Sequence, residues 1–290
     1  MPTLPQISLA PRDSPLARSP LLLLLLLSSL ACRALAALPV AVSVLPQKTF
    51  VEAVGGEAVT VQVLVAKGYD PALYEPRPRQ LARLSQAQLY VRAGVPFEAA
   101  WLPRFRQLNP RMRILDMREG LPLIPLAEGG GDPHVWTDPT LVKAHAARLR
   151  DALTALDPAN GPRYAAGYQA FAERLDALDE ALARRLAPLQ GRAFLVFHPA
   201  WSYFARRYGL RQLAVEQEGK EPNARSLAAL IDQARALNIR AVFVQPQHAG
   251  GTARVVAKAL GARLVSIDPL AEDYFATLRK MADLLVETTP

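Results

Sequence analysis

The sequence predicts an α/β protein of two small parallel-sheet βα lobes joined by one long spine helix, with a ligand cleft between the lobes. Three observations predict it. Short β-branched apolar runs alternate with helical stretches on both sides of the chain's centre. One apolar stripe, Tyr164, Tyr168, Phe171, Leu175, Leu178, Leu182 and Leu186, runs at spacings of three and four. Several polar side chains directly follow apolar runs, at the strand ends where open parallel sheets take their ligands.

The elements follow in order. Residues 40–45 are a short apolar run ending at Pro46. Residues 57–65 (EAVTVQVLV) have the β-branched profile of a buried strand. A helix over 78–87 leads to a strand over 89–92, closed by Gly94, then a helix over 97–108 and a strand over 112–115. Gly129, Gly130 and Gly131 form a loop. Asp138 and Pro139 open the next helix as N-cap and first-turn proline. After a turn at Asp157, Pro158, Ala159, Asn160 and Gly161, the striped helix over 162–187 would span roughly 39 Å at 1.5 Å per residue. The alternation then resumes. Strands are expected over 193–197, 213–216, 240–244 and 263–267, with helices over 200–208, 224–237, 252–260 and 272–286. No internal sequence repeat is visible. The organisation expected is a signal peptide over 1–36, an N-terminal lobe over 37–160, a connecting helix over 161–189 and a C-terminal lobe over 190–290.

The first 36 residues have the marks of an export signal. Arg12 and Arg18 precede the unbroken leucine run 21–27, and Ala34, Leu35 and Ala36 form an A-x-A cleavage site. The apolar stretch is shorter than the roughly 20 residues of a membrane span. Cys32, the single cysteine of the 290 residues, is placed where a lipid anchor would sit, although Ser29 fits that signal poorly; no disulfide framework or cysteine zinc module is open to the chain. The sequence is 51% hydrophobic and 21% charged, the balance of a globular protein. Its formal net charge of +8 falls to +6 without residues 1–36, which hold Arg12, Arg18, Arg33 and Asp13. The remaining basic residues are interleaved with acidic ones and form no aromatic-studded basic run, which argues against nucleic acid as a partner.

Four histidines limit where a metal could bind: His134, His145, His198 and His248. His198 follows a strand, as does Asp268, and His134 lies in a loop before a helix in the first half. Imidazole with carboxylate suits Zn²⁺ or Mn²⁺, so these three are candidate ligands that could converge from both lobes in one metal cleft; the spacing alone fits equally a histidine that caps or hydrogen-bonds after a strand. His145, beside Lys143 and Arg148 in a helix, reads as a surface residue. His248 reads as either a cleft donor or a solvated side chain.

The ordered motifs Tyr74-Glu75-Pro76, Gly94-Val95-Pro96-Phe97-Glu98, Asp132-Pro133-His134-Val135-Trp136, Phe197-His198-Pro199-Ala200-Trp201, the stretch 216–222 (EQEGKEP), Gln245-Pro246-Gln247 and Asp268-Pro269-Leu270-Ala271 carry a resemblance. Together they resemble the zinc/manganese-type (cluster A-I) solute-binding proteins of metal ABC transporters, over the whole chain from about Leu38. The resemblance implies two α/β lobes bridged by a long helix. It also implies a monomer that captures Zn²⁺ or Mn²⁺ in the periplasm or at the cell surface and hands it to an ABC-type permease. His134, His198 and Asp268 match three of the family's ligand positions. The first-lobe histidine of that family falls on Ala72, and the stretch 117–131 lacks the histidine-rich loop of zinc-specific members. Three ligands leave a tetrahedral site open. His248, Glu216 and Asp70 are the candidate fourth donors, with water as the other way to fill the place.

Other function classes stay in view. A His/His/Asp metal with an open position would activate water in a hydrolase, but no HExxH general-base motif is present. A receptor with a degenerate site at Ala72 would take a non-metal or a complexed metal. For the metal receptor, proton competition should weaken binding below about pH 6, near the ordinary imidazole range. Release would follow a shift of the second lobe that separates Asp268 and His198 from His134. Tyr74, Trp136 and Trp201 read equally as cleft wall or as ordinary packing.

Overall fold

The computed structural model describes residues 1–3, 37–127, 129–217, 219–248 and 251–289. The export signal read in the sequence lies outside the described residues. Strand β1 (Leu38–Val42) is almost wholly buried and forms the middle of the first sheet. It pairs in parallel with β2 (Val59–Val63) on one side and β3 (Leu89–Arg92) on the other, and β3 pairs with β4 (Arg113–Asp116). The order is therefore β2-β1-β3-β4. The second sheet, built from β5 (Ala193–Val196), β6 (Arg211–Ala214), β7 (Ala241–Val244) and β8 (Arg263–Ser266), repeats it as β6-β5-β7-β8, again all parallel. The sequence shows no repeat, yet the two sheets share one topology. Parallel strands need crossover connections, and both sheets are covered accordingly by helices.

Among the described residues the helices are α1 (Leu45–Gly55), α2 (Pro78–Leu84), α3 (Pro96–Leu108), α4 (Pro139–Leu156), α5 (Gly161–Leu186), α6 (Ser202–Arg207), α7 (Ala224–Ala236), α8 (Gly251–Leu260) and α9 (Tyr274–Thr288). None is long and apolar enough to cross a membrane. The expected long helix is α5, and Tyr164, Phe171, Leu175, Leu178, Leu182 and Leu186 of its stripe are buried. It packs against α1, α4 and α9, so one helix ties the first lobe to the end of the chain. The ring contacts Phe50–Phe171, Phe50–Tyr274 and Phe171–Phe275 mark that junction. A main core runs through both halves, and a smaller cluster around Leu195, Val242 and Val256 fills the second lobe between its sheet and α7 and α8.

Two sequence readings change. Helix α1 was not expected. Pro46, read as the end of a strand, stands in the first helical turn, where a missing N–H costs nothing, and Phe50, Val51 and Val54 form the buried face. His145 is buried, not on the surface. On α4 it shares the inward stripe of Val142, Ala146, Leu149 and Leu153, while Lys143 turns outward to the Asp176 carboxylate. Several boundaries also move: β2 is shorter than 57–65 because 56–58 form a 3₁₀ turn, and β6 starts and ends two residues earlier than expected.

Candidate metal centre

His198 stands two residues beyond β5. The β5–β6 register pairs Val196 with Ala214, so two residues further on His198 lies beside Glu216. The pairing continues there through the Glu216 N–H donating to the Phe197 carbonyl at 2.9 Å. Glu216 is buried, and its Oε1 lies 2.9 Å from His198 Nδ1. His134 is built differently. The Asp132 carboxylate accepts from the His134 backbone N–H at 2.9 Å, an Asx turn, and also lies 2.7 Å from its Nδ1. Burial alone would raise the Asp132 pKa. The adjacent His134, with hydrogen bonds from its ring, its backbone and Ser202, reverses the sign and holds Asp132 below the ordinary carboxylate range.

The two Nε2 atoms face each other at 3.3 Å, with the rings tilted by 75°. A carboxylate on each Nδ1 favours that nitrogen as the N–H donor, and each ring turns its Nε2 towards the other. Two such nitrogens at this distance are bridged by a cation between them, either a shared proton as in an N–H···N hydrogen bond or a metal ion. Two imidazoles on one tetrahedral Zn²⁺, with Zn–N of about 2.0–2.1 Å, place their nitrogens about 3.3–3.4 Å apart. The donor set therefore fits a zinc ion.

The structure positions the other candidates as follows. Asp268 follows β8, accepts from the Leu270 N–H at 2.9 Å, and receives the Gln247 amide at 3.2 and 3.3 Å on its two oxygens. Among the described residues no three histidine, cysteine, aspartate or glutamate side chains converge as a metal cluster, so the gathered donors are the His134–His198 pair. Glu216 orients His198. Asp70 accepts from the Ala72 N–H in the loop after β2. Ala72 itself is exposed. His248 closes the 3₁₀ turn Pro246–His248, and its side chain lies outside what is described.

Neighbouring residues brace the site. Tyr203 of α6 donates to the Asp132 carbonyl at 2.8 Å and accepts from the Ile124 N–H at 3.0 Å. The Trp136 indole donates to the Pro269 carbonyl at 3.0 Å, and its ring lies edge-on to His134. Tyr74, Trp136 and Trp201 are all buried. Sequence reasoning did not single out Asp132, Gln247 or Tyr203 as functional. The signal for Asp132 was its place two residues before a loop histidine, the spacing of an Asx turn. Gln247 and Tyr203 carry no comparable local signal.

Two α/β lobes of identical strand order, with a carboxylate-braced imidazole pair at strand ends and loops, define the class of a metal-binding receptor fold. The chain belongs to the family described as zinc-uptake complex component A, periplasmic, which matches residues 40–288. The crystal structure of ZnuA superposes with a TM-score of 0.84 at 40% identity, covering 87% of this chain and 99% of that one. The laminin-binding protein Lmb of Streptococcus agalactiae, described as an adhesin with metal-transporting activity, superposes at 0.78 with 26% identity over 87% and 99%. The zinc-binding lipoprotein AdcA of Streptococcus pneumoniae serotype 4 is 25% identical over 272 residues, 84% of this chain and 54% of that protein. The chain thus spans about half the length of the AdcA relatives it matches.

Proposed function

We propose that this protein is a zinc-binding receptor of an ABC-type metal importer. It acts outside the cytoplasmic membrane and passes its ion to a permease. The observation that carries the reading is the pair of Nε2 atoms of His134 and His198 facing each other at 3.3 Å, each ring with a carboxylate on its Nδ1. Family membership and the zinc- and metal-binding relatives support it. Zinc is the cargo and manganese the alternative ion, since imidazole nitrogen favours zinc over manganese at comparable geometry. Asp268 is the third donor in this reading, and Gln247 holds its carboxylate. With Ala72 at the family's first-lobe position, water or a donor carried with the ion completes the shell. Residues 1–36 serve as the export signal, and 161–189 connect lobes 37–160 and 190–290.

Calorimetric titration of the chelator-stripped protein with Zn²⁺ and Mn²⁺ tests the reading. One zinc per chain is expected, with binding lost in His134→Ala and in His198→Ala and weakened in Asp268→Ala. Absence of zinc binding, or binding indifferent to the two histidine variants, overturns it. Chelator-sensitive turnover of a hydrolysable ester would replace the receptor reading by a metallohydrolase.

A further inference from the structure

A second built feature lies at the carboxyl end of edge strand β2, among residues that take no part in the imidazole pair. An open cleft of about 600 Å³ is lined by Tyr69, Tyr74, Arg77, Arg79, Gln80 and Arg83, among others. That volume is within the usual range for small-molecule sites. Its walls are fixed. Gln80 accepts from the Tyr74 hydroxyl at 2.6 Å and from the Arg77 N–H at 2.9 Å, and donates to the Leu64 carbonyl at 2.6 Å, which pins ring and helix start to the end of β2. Tyr69 and Tyr74 meet edge to face at 6.0 Å. The Arg77 guanidinium donates to the Tyr69 hydroxyl at 2.6 Å and lies 5.5 Å from that ring's centre. Arg77, Arg79 and Arg83 are all exposed, and none has a carboxylate ion-pair partner among the described residues. Elsewhere on the surface arginines such as Arg207 and Arg263 are paired.

Three guanidiniums without carboxylate partners among the described residues, over an aromatic floor, select a particular chemistry. Guanidinium forks match carboxylate and phosphate oxygens in pairs. Tyrosine faces and edges favour a flat apolar body. We propose that this cleft binds a small organic anion, a carboxylate or phosphate ester carried on a ring. The anionic end sits against Arg79 and Arg83, and the ring against Tyr69 and Tyr74.

The test is titration of the full chain with phenyl phosphate, inorganic phosphate and phosphatidylglycerol vesicles, followed by calorimetry. Phenyl phosphate should bind one-to-one with a dissociation constant of about 1 mM or tighter, the weak range expected of a partly open site. The Arg79→Ala/Arg83→Ala variant should lose at least about tenfold, and higher salt should weaken binding in the wild type. Tyr69→Ala should abolish the preference for phenyl phosphate over inorganic phosphate. Zinc uptake by the arginine variant should be unchanged, which separates this site from the metal reading. His198→Ala should keep phenyl phosphate binding. No saturation by about 10 mM phenyl phosphate, equal affinity in the arginine variant, or retention on vesicles without binding of the soluble ester would each overturn the proposal.

Discussion

His145 should make the protein acid-sensitive, by an amount that follows from its burial. The ring lies wholly inside, and neither nitrogen has a hydrogen-bond partner among the described residues. Burial, with a smaller push from Arg148 and against a small pull from Asp116, lowers its pKa from 6.5 to about 3. The folded pKa lies below the unfolded one, so the unfolded chain takes up a proton that the folded chain refuses. Above pH 6.5 both states are neutral at this site and nothing is lost. As pH falls from 6.5 towards 3, stability drops by about 1.4 kcal/mol per unit, reaching about 4–5 kcal/mol in full and about 3 kcal/mol by pH 4. His145→Leu removes the titration. It also removes two buried unpaired polar atoms, which cost about 1–3 kcal/mol, in exchange for a side chain of similar bulk. Urea denaturation of both proteins with chelator present, from pH 7.5 to pH 4, isolates the effect from the carboxylates they share. The variant should match or exceed wild type at pH 7.5, and the gap should widen by about 3 kcal/mol at pH 4. A gap that stays constant over that range would refute the reasoning, because it would mean that the ring titrates alike in both states.

Three further outcomes follow from named contacts. Glu216→Gln keeps the shape beside His198 but removes the charge that holds Nδ1–H, so zinc affinity should fall by about tenfold or more at unchanged stoichiometry, read by chelator competition. Gly167 of α5 faces the end of α1 so closely that an added Cβ would lie 2.4 Å from the Val54 carbonyl oxygen; Gly167→Ala should cost about 1–3 kcal/mol in urea unfolding. Glu98 is fully buried and accepts from Ser43 Oγ, the Ala93 and Gly94 N–H groups and Arg92. Glu98→Ala leaves the buried Ser43, Ala93 and Gly94 donors unmatched and takes from Arg92 the nearer of its two carboxylates, Asp116 remaining at 3.5 Å; it should cost about 3–5 kcal/mol, seen as a lower denaturation midpoint.

The parts of the fold legible in the sequence are those where period and burial coincide. Helix α5 is one, because its stripe packs along its length; the strands around β1 and β7 are others, because parallel strands buried on both faces read as unbroken apolar runs. Helix α1 escaped because Pro46 can end a strand or begin a helix, and the choice rests on packing against α5. His145 was misread by weighing its neighbours in sequence. At 100° per residue Lys143 points away from it, while Val142 and Leu149 share its face. His198 was legible from its strand end and His134 from its loop and the family resemblance, but the carboxylates' place behind the rings was not: Glu216 was read as a metal donor and not as the partner of His198 Nδ1. Glu216 becomes a partner of His198 only through the β5–β6 register, which local pattern does not encode.

The braces on His134 bear on how the ion would leave. Its loop follows the first sheet in the chain, yet it is tied to second-lobe elements by Tyr203 through Asp132 and Ile124 and by Trp136 through Pro269. A simple parting of the lobes that carried His134 away from His198 would break these three hydrogen bonds, at about 0.5–1.5 kcal/mol each. Parting the lobes breaks all three, whereas loosening the His134 loop against α6 breaks only the two Tyr203 bonds and spares Trp136–Pro269, so under the proposed function the loop movement would be the cheaper first step. Tyr203→Phe tests this. It removes the hydroxyl that holds both Asp132 and Ile124, while the ring keeps its buried place. Stopped-flow chelator capture should show the zinc off-rate rising about fivefold to tenfold, the equivalent of about 1–1.4 kcal/mol, with little change in the on-rate. An unchanged off-rate beside a lowered melting temperature would assign Tyr203 to stability alone and return the release step to movement of the whole second lobe.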